Sequence, residues 1–405
     1  MQLSTNGGVT AAKGFLANGI HCGIRNNKSK KDLAMYFCKH KCTAVAVYTT
    51  NKVIGAPNRV TKSHLENGTA QAMICNSGIA NTCAADGIEK ATAMCKIAAD
   101  KLNISPDDMI VGSTGVIGPS INLEPIENGI DELVSGLNNN GGTSAAEAIM
   151  TTDTHSKEVC VKFDIGGKDC TIGGMAKGSG MIMPNMATML CFLTTDVKIS
   201  AKMLDKALHE VVADTFNMVS VDGDTSTNDM CSIMASGDAE NIEIIDENAD
   251  YDAFKAALFE ALRHLSREIA KDGEGATKLI ECNVTGAKDT QNAKIIAKSV
   301  INSSLLKAAM FGADANWGRV LCAIGYSGAD VDVAGVDMAF ASEVGEIDVC
   351  KNGAGIPVDE DLAKKILLKD EVKINITLHD GNSHATAWGC DLTYDYVKIN
   401  GDYRS

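Results

Sequence analysis

The sequence predicts a mixed α/β protein of more than one lobe. Short apolar runs with strand character alternate along the whole chain with longer stretches whose apolar residues recur at helical spacing. The 405 residues exceed what one hydrophobic core usually spans, so two or three lobes are expected. Hydrophobic residues make up 45% and charged residues 22%, the balance of a packed chain rather than a disordered one. Aromatics are only 4%, so the core is expected to rest on Val, Ile, Leu, Met and Ala.

In chain order, strands are expected at 43–48, 70–75, 109–111, 158–165, 170–175, 189–195, 278–285, 346–350 and 372–378, each a short apolar run. Helices are expected at 87–102, 126–137, 201–217, 251–272 and 299–311. Pro125 suits the start of the second of these. In the third, Leu204, Ala207, Leu208, Val211 and Val212 form one core-facing stripe. The polar stretch 138–144 reads as a loop, and no internal repeat or linker interrupts the chain.

Charge excludes several roles. A net charge of −15 argues against nucleic acid, whose phosphates need a concentrated basic face. The one basic stretch, from Arg25 to Lys41, holds six Lys or Arg against Asp32 and reads as a solvated face. No apolar run is long enough to span a membrane, and Met1-Gln2-Leu3-Ser4 does not open a charged-then-apolar leader, so a cytoplasmic protein is expected. Most of the fourteen cysteines lie singly in apolar runs, Cys191 and Cys322 among them, and are expected to be reduced and buried. Cys38, His40 and Cys42 lie close together, but no second cluster completes a tetrahedral set, so no metal is expected.

The chemistry concentrates around Thr188, in the run Pro184-Asn185-Met186-Ala187-Thr188-Met189-Leu190. Four glycines (Gly173, Gly174, Gly178, Gly180) precede it and read as a flexible approach to an apolar strand. A threonine hydroxyl is a weak nucleophile without a base. The residue's own α-amine, with a pKa of about 7.7–8.0, can be that base once the preceding peptide bond is cut. The same hydroxyl can cut that bond by attacking the carbonyl of Ala187, which is small and open to approach. Both reactions build a negative oxygen that needs fixed hydrogen-bond donors.

Ser113-Thr114-Gly115-Val116-Ile117-Gly118 can supply such donors at a turn after a short strand, though by itself it reads as an ordinary turn. Lys177 can grip a substrate carboxylate or lower a nearby pKa, or be merely solvated. Glu274, in a turn after a long helix, can receive an ammonium group, or face water. The stretch from Val221 to Asp229 resembles a calcium loop but lacks its bidentate Glu, and is expected to form a hydrogen-bonded turn near the site. The eight histidines, His155 included, assemble no catalytic triad by spacing.

At these residues the chain resembles the bifunctional glutamate N-acetyltransferase / ornithine acetyltransferase family of arginine biosynthesis. The matching motifs are Lys177-Gly178-Ser179-Gly180-Met181-Ile182-Met183-Pro184-Asn185-Met186-Ala187-Thr188-Met189-Leu190, the stretch from Val221 to Asp229, Gly312-Ala313-Asp314-Ala315-Asn316-Trp317-Gly318-Arg319, and the ending from Cys390 to Asn400. The resemblance implies a layered α/β sandwich of the self-cleaved N-terminal-nucleophile type. It implies cleavage between Ala187 and Thr188 into an α chain, 1–187, and a β chain, 188–405, assembled as a heterotetramer. Thr188 would pass acetyl from N-acetylornithine to glutamate, with Thr114 and Gly115 as the oxyanion hole. Substrate contacts would fall on Thr151, Lys177, Thr188, Glu274, Asn400 and Ser405. No cofactor is implied, and acetyl-CoA is open as a second donor. The family often has a proline after Thr151-Thr152-Asp153-Thr154, where this chain has His155-Ser156-Lys157, so Thr152 competes with Thr151; Ser405 replaces a usual threonine.

Two rival readings remain at this level. A self-processing amidase or aminopeptidase would use Thr188 with water as acceptor. A binding protein would keep the threonine as structure only.

Overall fold

The computed structural model describes residues 1–183 and 189–402. Ala187, Thr188 and Ser405, singled out above, lie outside the described residues.

Two mixed sheets organise the chain. The first uses β1 (Gln2–Ser4), β2 (Phe15–Ile20), β3 (Leu33–Tyr48), β4 (Thr69–Ile79), β5 (Met109–Val116), β6 (Lys157–Ile165), β7 (Lys168–Lys177) and β8 (Leu190–Thr195). After β9 (Val219–Ser220), which belongs to the second sheet, β10 (Met230–Ala235) completes it. Its order is β1-β6-β7-β8-β10-β3-β4-β5, with β2 on β3; β8–β10 and β4–β5 are parallel. The second sheet runs β14 (Ala354–Gly355), β13 (Gly345–Lys351), β12 (Asp337–Ser342), β15 (Glu371–Thr377), β11 (Leu279–Ala287), β16 (Ser383–Cys390), β9.

Burial separates the two sheets. Every residue of β8 and β10 is buried, the pattern of strands covered on both faces. In β15 exposed or half-buried residues alternate with buried ones, so one face of the second sheet meets solvent. The helix Ala249–Lys271 joins them, touching β6 and β7 of the first sheet and β11 and β16 of the second. It starts at Asn248, whose side chain accepts from the Tyr251 amide, and its stripe Phe254, Leu258, Ala261, Leu265 and Ile269 is buried. One apolar cluster spans both sheets, and two further clusters pack on the first sheet.

All nine expected strands form. β3 starts ten residues earlier than expected, at Leu33, because a register shift between Phe37 and Cys42 lets the polar Lys39-His40-Lys41 bulge out without ending the strand. Asp32, expected on a solvated face, is buried and accepts the amides of Cys22, Gly23 and Arg25. The helix expected at 299–311 is two, Thr290–Ile301 and Ser304–Phe311, because Ser303 caps the second by accepting from the Leu306 amide. The loop expected at 138–144 gives way at Gly142 to the helix Gly142–Ala148. Cys322 is exposed, not buried: its run is a helix, Trp317–Gly325, whose period buries Val320, Ala323 and Ile324 and turns Cys322 outward.

Candidate active site

A cavity of about 330 Å³ opens where several of these elements converge. Thr114, Gly115 and Val116 reach it from the end of β5, Thr151 and Thr152 from the segment before β6, and Lys177 from the last position of β7. Gly180 and Met181 follow Lys177; Ser226, Thr227 and Asn228 come from the segment before β10. Glu274 stands in the turn after the helix Ala249–Lys271, and Asn400 on the helix Tyr394–Gly401. The cavity thus gathers every described residue to which the family resemblance assigned a role. A larger hollow of about 950 Å³, lined by Glu210, Phe259 and Lys294 among others, contains none of them.

The β5 wall is strand rather than turn. Thr114 and Gly115 pair with Ser77 and Gly78 of the parallel β4, and the strand ends only after Val116. Gly115 has a φ of +133°, and a Cβ there would lie 2.2 Å from the Gly78 carbonyl carbon, so only glycine fits. Asn228 ties this wall to its neighbours: its Nδ2 donates to the carbonyls of Ala80 (2.6 Å) and Ser113 (2.9 Å), and its Oδ1 accepts from Thr82 and Thr227. The segment from Val221 to Asp229 does form the expected hydrogen-bonded turn beside the site. Asp222 accepts the amides of Met181 (2.6 Å) and Ile182 (2.8 Å).

Opposite charges face each other across the cavity. Lys177 is buried, and burial pulls its ammonium below the ordinary lysine value, with Asp153 at 3.8 Å opposing. Glu274, also buried, accepts from Asn400 Nδ2 at 2.7 Å, and its amide donates to the Ser179 carbonyl at 2.9 Å. Its carboxylate lies against Gly180, where a Cβ would sit 2.3 Å from it. The glycines before Thr188 are therefore not a flexible approach: Gly173 and Gly174 are buried inside β7, and Gly180 makes room for a carboxylate. Thr393 caps the last helix and donates to the Gly275 carbonyl at 2.7 Å, which brings Asn400 to Glu274.

Motif reading missed the charges beneath this surface. Asp153, Lys157 and Asp272 are buried, with Lys157 Nζ 2.8 Å from Asp153 and 2.5 Å from Asp272. A charged residue opening the apolar run Lys157-Glu158-Val159-Cys160-Val161 was the available signal. The altered loop at His155 is held by these groups: Thr154 donates through its amide and its hydroxyl to Asp272, while half-exposed His155 lies 3.3 Å from Glu268, outside the cavity. Among the described residues no helix is long and apolar enough to cross a membrane, and no three His, Cys, Asp or Glu side chains are grouped to hold a metal ion.

A two-sheet α/β scaffold closing a small cavity that carries one ammonium and one carboxylate fits an enzyme acting on small charged molecules. The chain belongs to the ArgJ family, whose model matches residues 16–405. It is similar to the arginine biosynthesis bifunctional protein ArgJ 1 of Clostridium acetobutylicum, 48% identical over all of this chain and 99% of that one. The corresponding protein of Caldanaerobacter subterraneus is 50% identical, over 99% of each. A crystal structure of the Bacillus halodurans protein, argJ, is 48% identical with a TM-score of 0.50, over 98% of the solved chain but 52% of this one. The chain is accordingly an acyltransferase of arginine biosynthesis.

Proposed function

We propose that the enzyme transfers acetyl from N-acetylornithine to glutamate through an acetyl ester on Thr188, after cutting its own chain between Ala187 and Thr188. The carrying observation is the convergence of Thr114, Gly115, Thr151, Lys177, Glu274 and Asn400, from distant parts of the chain, on one cavity of amino-acid size. Its ammonium and carboxylate are complementary to the carboxylate and ammonium of the substrates. The half-length solved chain of the Bacillus halodurans protein agrees with a cut near residue 188 of 405.

In this reading the Thr188 oxygen attacks the acetyl carbonyl carbon and its proton passes to the residue's own α-amine. Thr114 and the Gly115 amide hold the oxyanion. The C–N bond breaks, the leaving amine takes the proton, and ornithine departs. The amine of glutamate then attacks the ester, releasing N-acetylglutamate and restoring the hydroxyl. Thr151 or Thr152, Lys177, Glu274, Asn400 and Ser405 orient the two amino acids. The α and β chains stay together as a cytoplasmic heterotetramer, no cofactor is required, and the second activity of a bifunctional enzyme would use acetyl-CoA as donor.

The test is an assay of the purified protein with N-acetylornithine or acetyl-CoA as donor and glutamate as acceptor, alongside a denaturing gel. Two fragments in place of a 42.6 kDa band, and acetyl loss accelerated by glutamate, are expected. Turnover to water alone would favour an amidase, and activity surviving in Thr188→Ala would overturn the mechanism.

A further inference from the structure

We propose that Asp153, braced by Lys157 and Asp272, is the positioning group of this site: it anchors Lys177 and couples the segment carrying Thr151 to the turn carrying Glu274. The inference rests on the reading above for Lys177 as a substrate-carboxylate contact, but its geometry stands without it.

Both oxygens of the Asp153 carboxylate are fully engaged. Oδ1 accepts from Lys157 Nζ at 2.8 Å and the Gly178 amide at 2.7 Å; Oδ2 accepts from the Thr151 amide at 2.9 Å and faces Lys177 Nζ at 3.8 Å. One side chain therefore sets the backbone on both sides of the cavity's cationic wall, at Thr151 and just past Lys177. Lys157 carries the connection to Asp272 at 2.5 Å, and the Asp272 carbonyl accepts from Ser179 Oγ at 2.6 Å. Ser179 in turn accepts the Glu274 amide, so the chain of contacts ends at the anionic wall. If the chain is cut before Thr188, Asp153, Lys157 and Lys177 belong to one fragment and Asp272 and Glu274 to the other. The buried Lys157–Asp272 pair then holds the two halves of the site in register.

The titratable groups facing Lys177 come from several elements: Asp153 and Lys157 beside it, Glu274 from the turn, Arg25 from the segment before β3, Asp229 from the segment before β10, and the thiol of Cys75 on β4. Asp153 favours the ammonium and Lys157 disfavours it. Neutralising the two must therefore move the titration of Lys177 in opposite directions, which a merely structural role would not do.

The experiment compares wild type, Asp153→Asn, and the paired variant Lys157→Met/Asp272→Asn, which removes a buried pair together rather than stranding one charge. Lys177 is titrated by competitive labelling with trace acetic anhydride across pH, read by peptide mass, so the result does not depend on turnover. The labelling midpoint is expected to move down by roughly one unit or more in Asp153→Asn and to move up in the paired variant. In the full reaction the alkaline limb of kcat/KM should follow the same two directions. KM should rise on the order of tenfold in Asp153→Asn while kcat changes less, because a ground-state contact is loosened. Midpoints that stay put, or that move the same way in both variants, overturn the proposal. If Asp153→Asn does not fold, the paired variant decides alone, by an upward midpoint or its absence. Shifted labelling in a protein that shows no acetyl transfer would sink the reaction assigned above and leave the positioning role standing.

Discussion

Lys157 and Lys177 occupy opposite oxygens of the same buried carboxylate, yet their surroundings differ. Burial opposes the charge of both. For Lys157 two carboxylates at 2.8 and 2.5 Å outweigh it and raise the ammonium's pKa. For Lys177 one carboxylate at 3.8 Å does not, and the value falls below 10.5. Lys157 is saturated from within the protein and has nothing left to offer a ligand. Lys177 is under-neutralised and lines the cavity, so an incoming anion completes its environment. A buried lysine is thus structural or functional according to how many internal carboxylates meet it.

That contrast can be broken most severely at Lys157. Lys157→Met strands Asp153 and Asp272 in the interior and should cost about 3–5 kcal/mol of stability, measured by denaturant unfolding. Lys177→Met should barely lower the unfolding midpoint but reduce kcat/KM by roughly 10- to 150-fold, the loss of one charged hydrogen bond of about 1.5–3 kcal/mol. Equal unfolding in the two variants would erase the distinction. On the opposite wall, Gly180→Ala forces a methyl group against the Glu274 carboxylate and should raise KM by about tenfold with kcat less affected, as steady-state kinetics would reveal. The smallest effect is in wild type. If the Lys177 ammonium is needed, the alkaline limb of kcat/KM falls at a pH below 10.5, because the folded pKa is depressed and the charge is lost early as pH rises. A limb at or above 10.5 would place Lys177 in the same class as Lys157.

Much of the site could be read without coordinates, and the reason is local. Lys177 and Asn400 sit in the motifs that carry the family resemblance, that resemblance assigned roles to Thr114, Gly115 and Glu274, and the chemistry demanded of Thr188 needs only its immediate neighbours. Where reading failed, a local signal was ambiguous. A bulge at 38–41 hid half of β3, Ser303 split one apparent helix into two, and the glycines of β7 looked like a hinge though they are packed strand.

Hydrophobic periodicity and motif order were enough to assign the α/β class, the expected strands and the family, because these depend on residues near one another in the chain. Only the folded molecule could bring Asp272 to the Asp153–Lys157 pair, since it meets Lys157 across 115 residues of chain. In the sequence Asp153 and Asp272 look like solvated surface residues, and only Lys157, opening an apolar run, hints at burial. It is the loss of water around them that binds them to each other and distinguishes Lys177, the cation left facing the cavity, from Lys157.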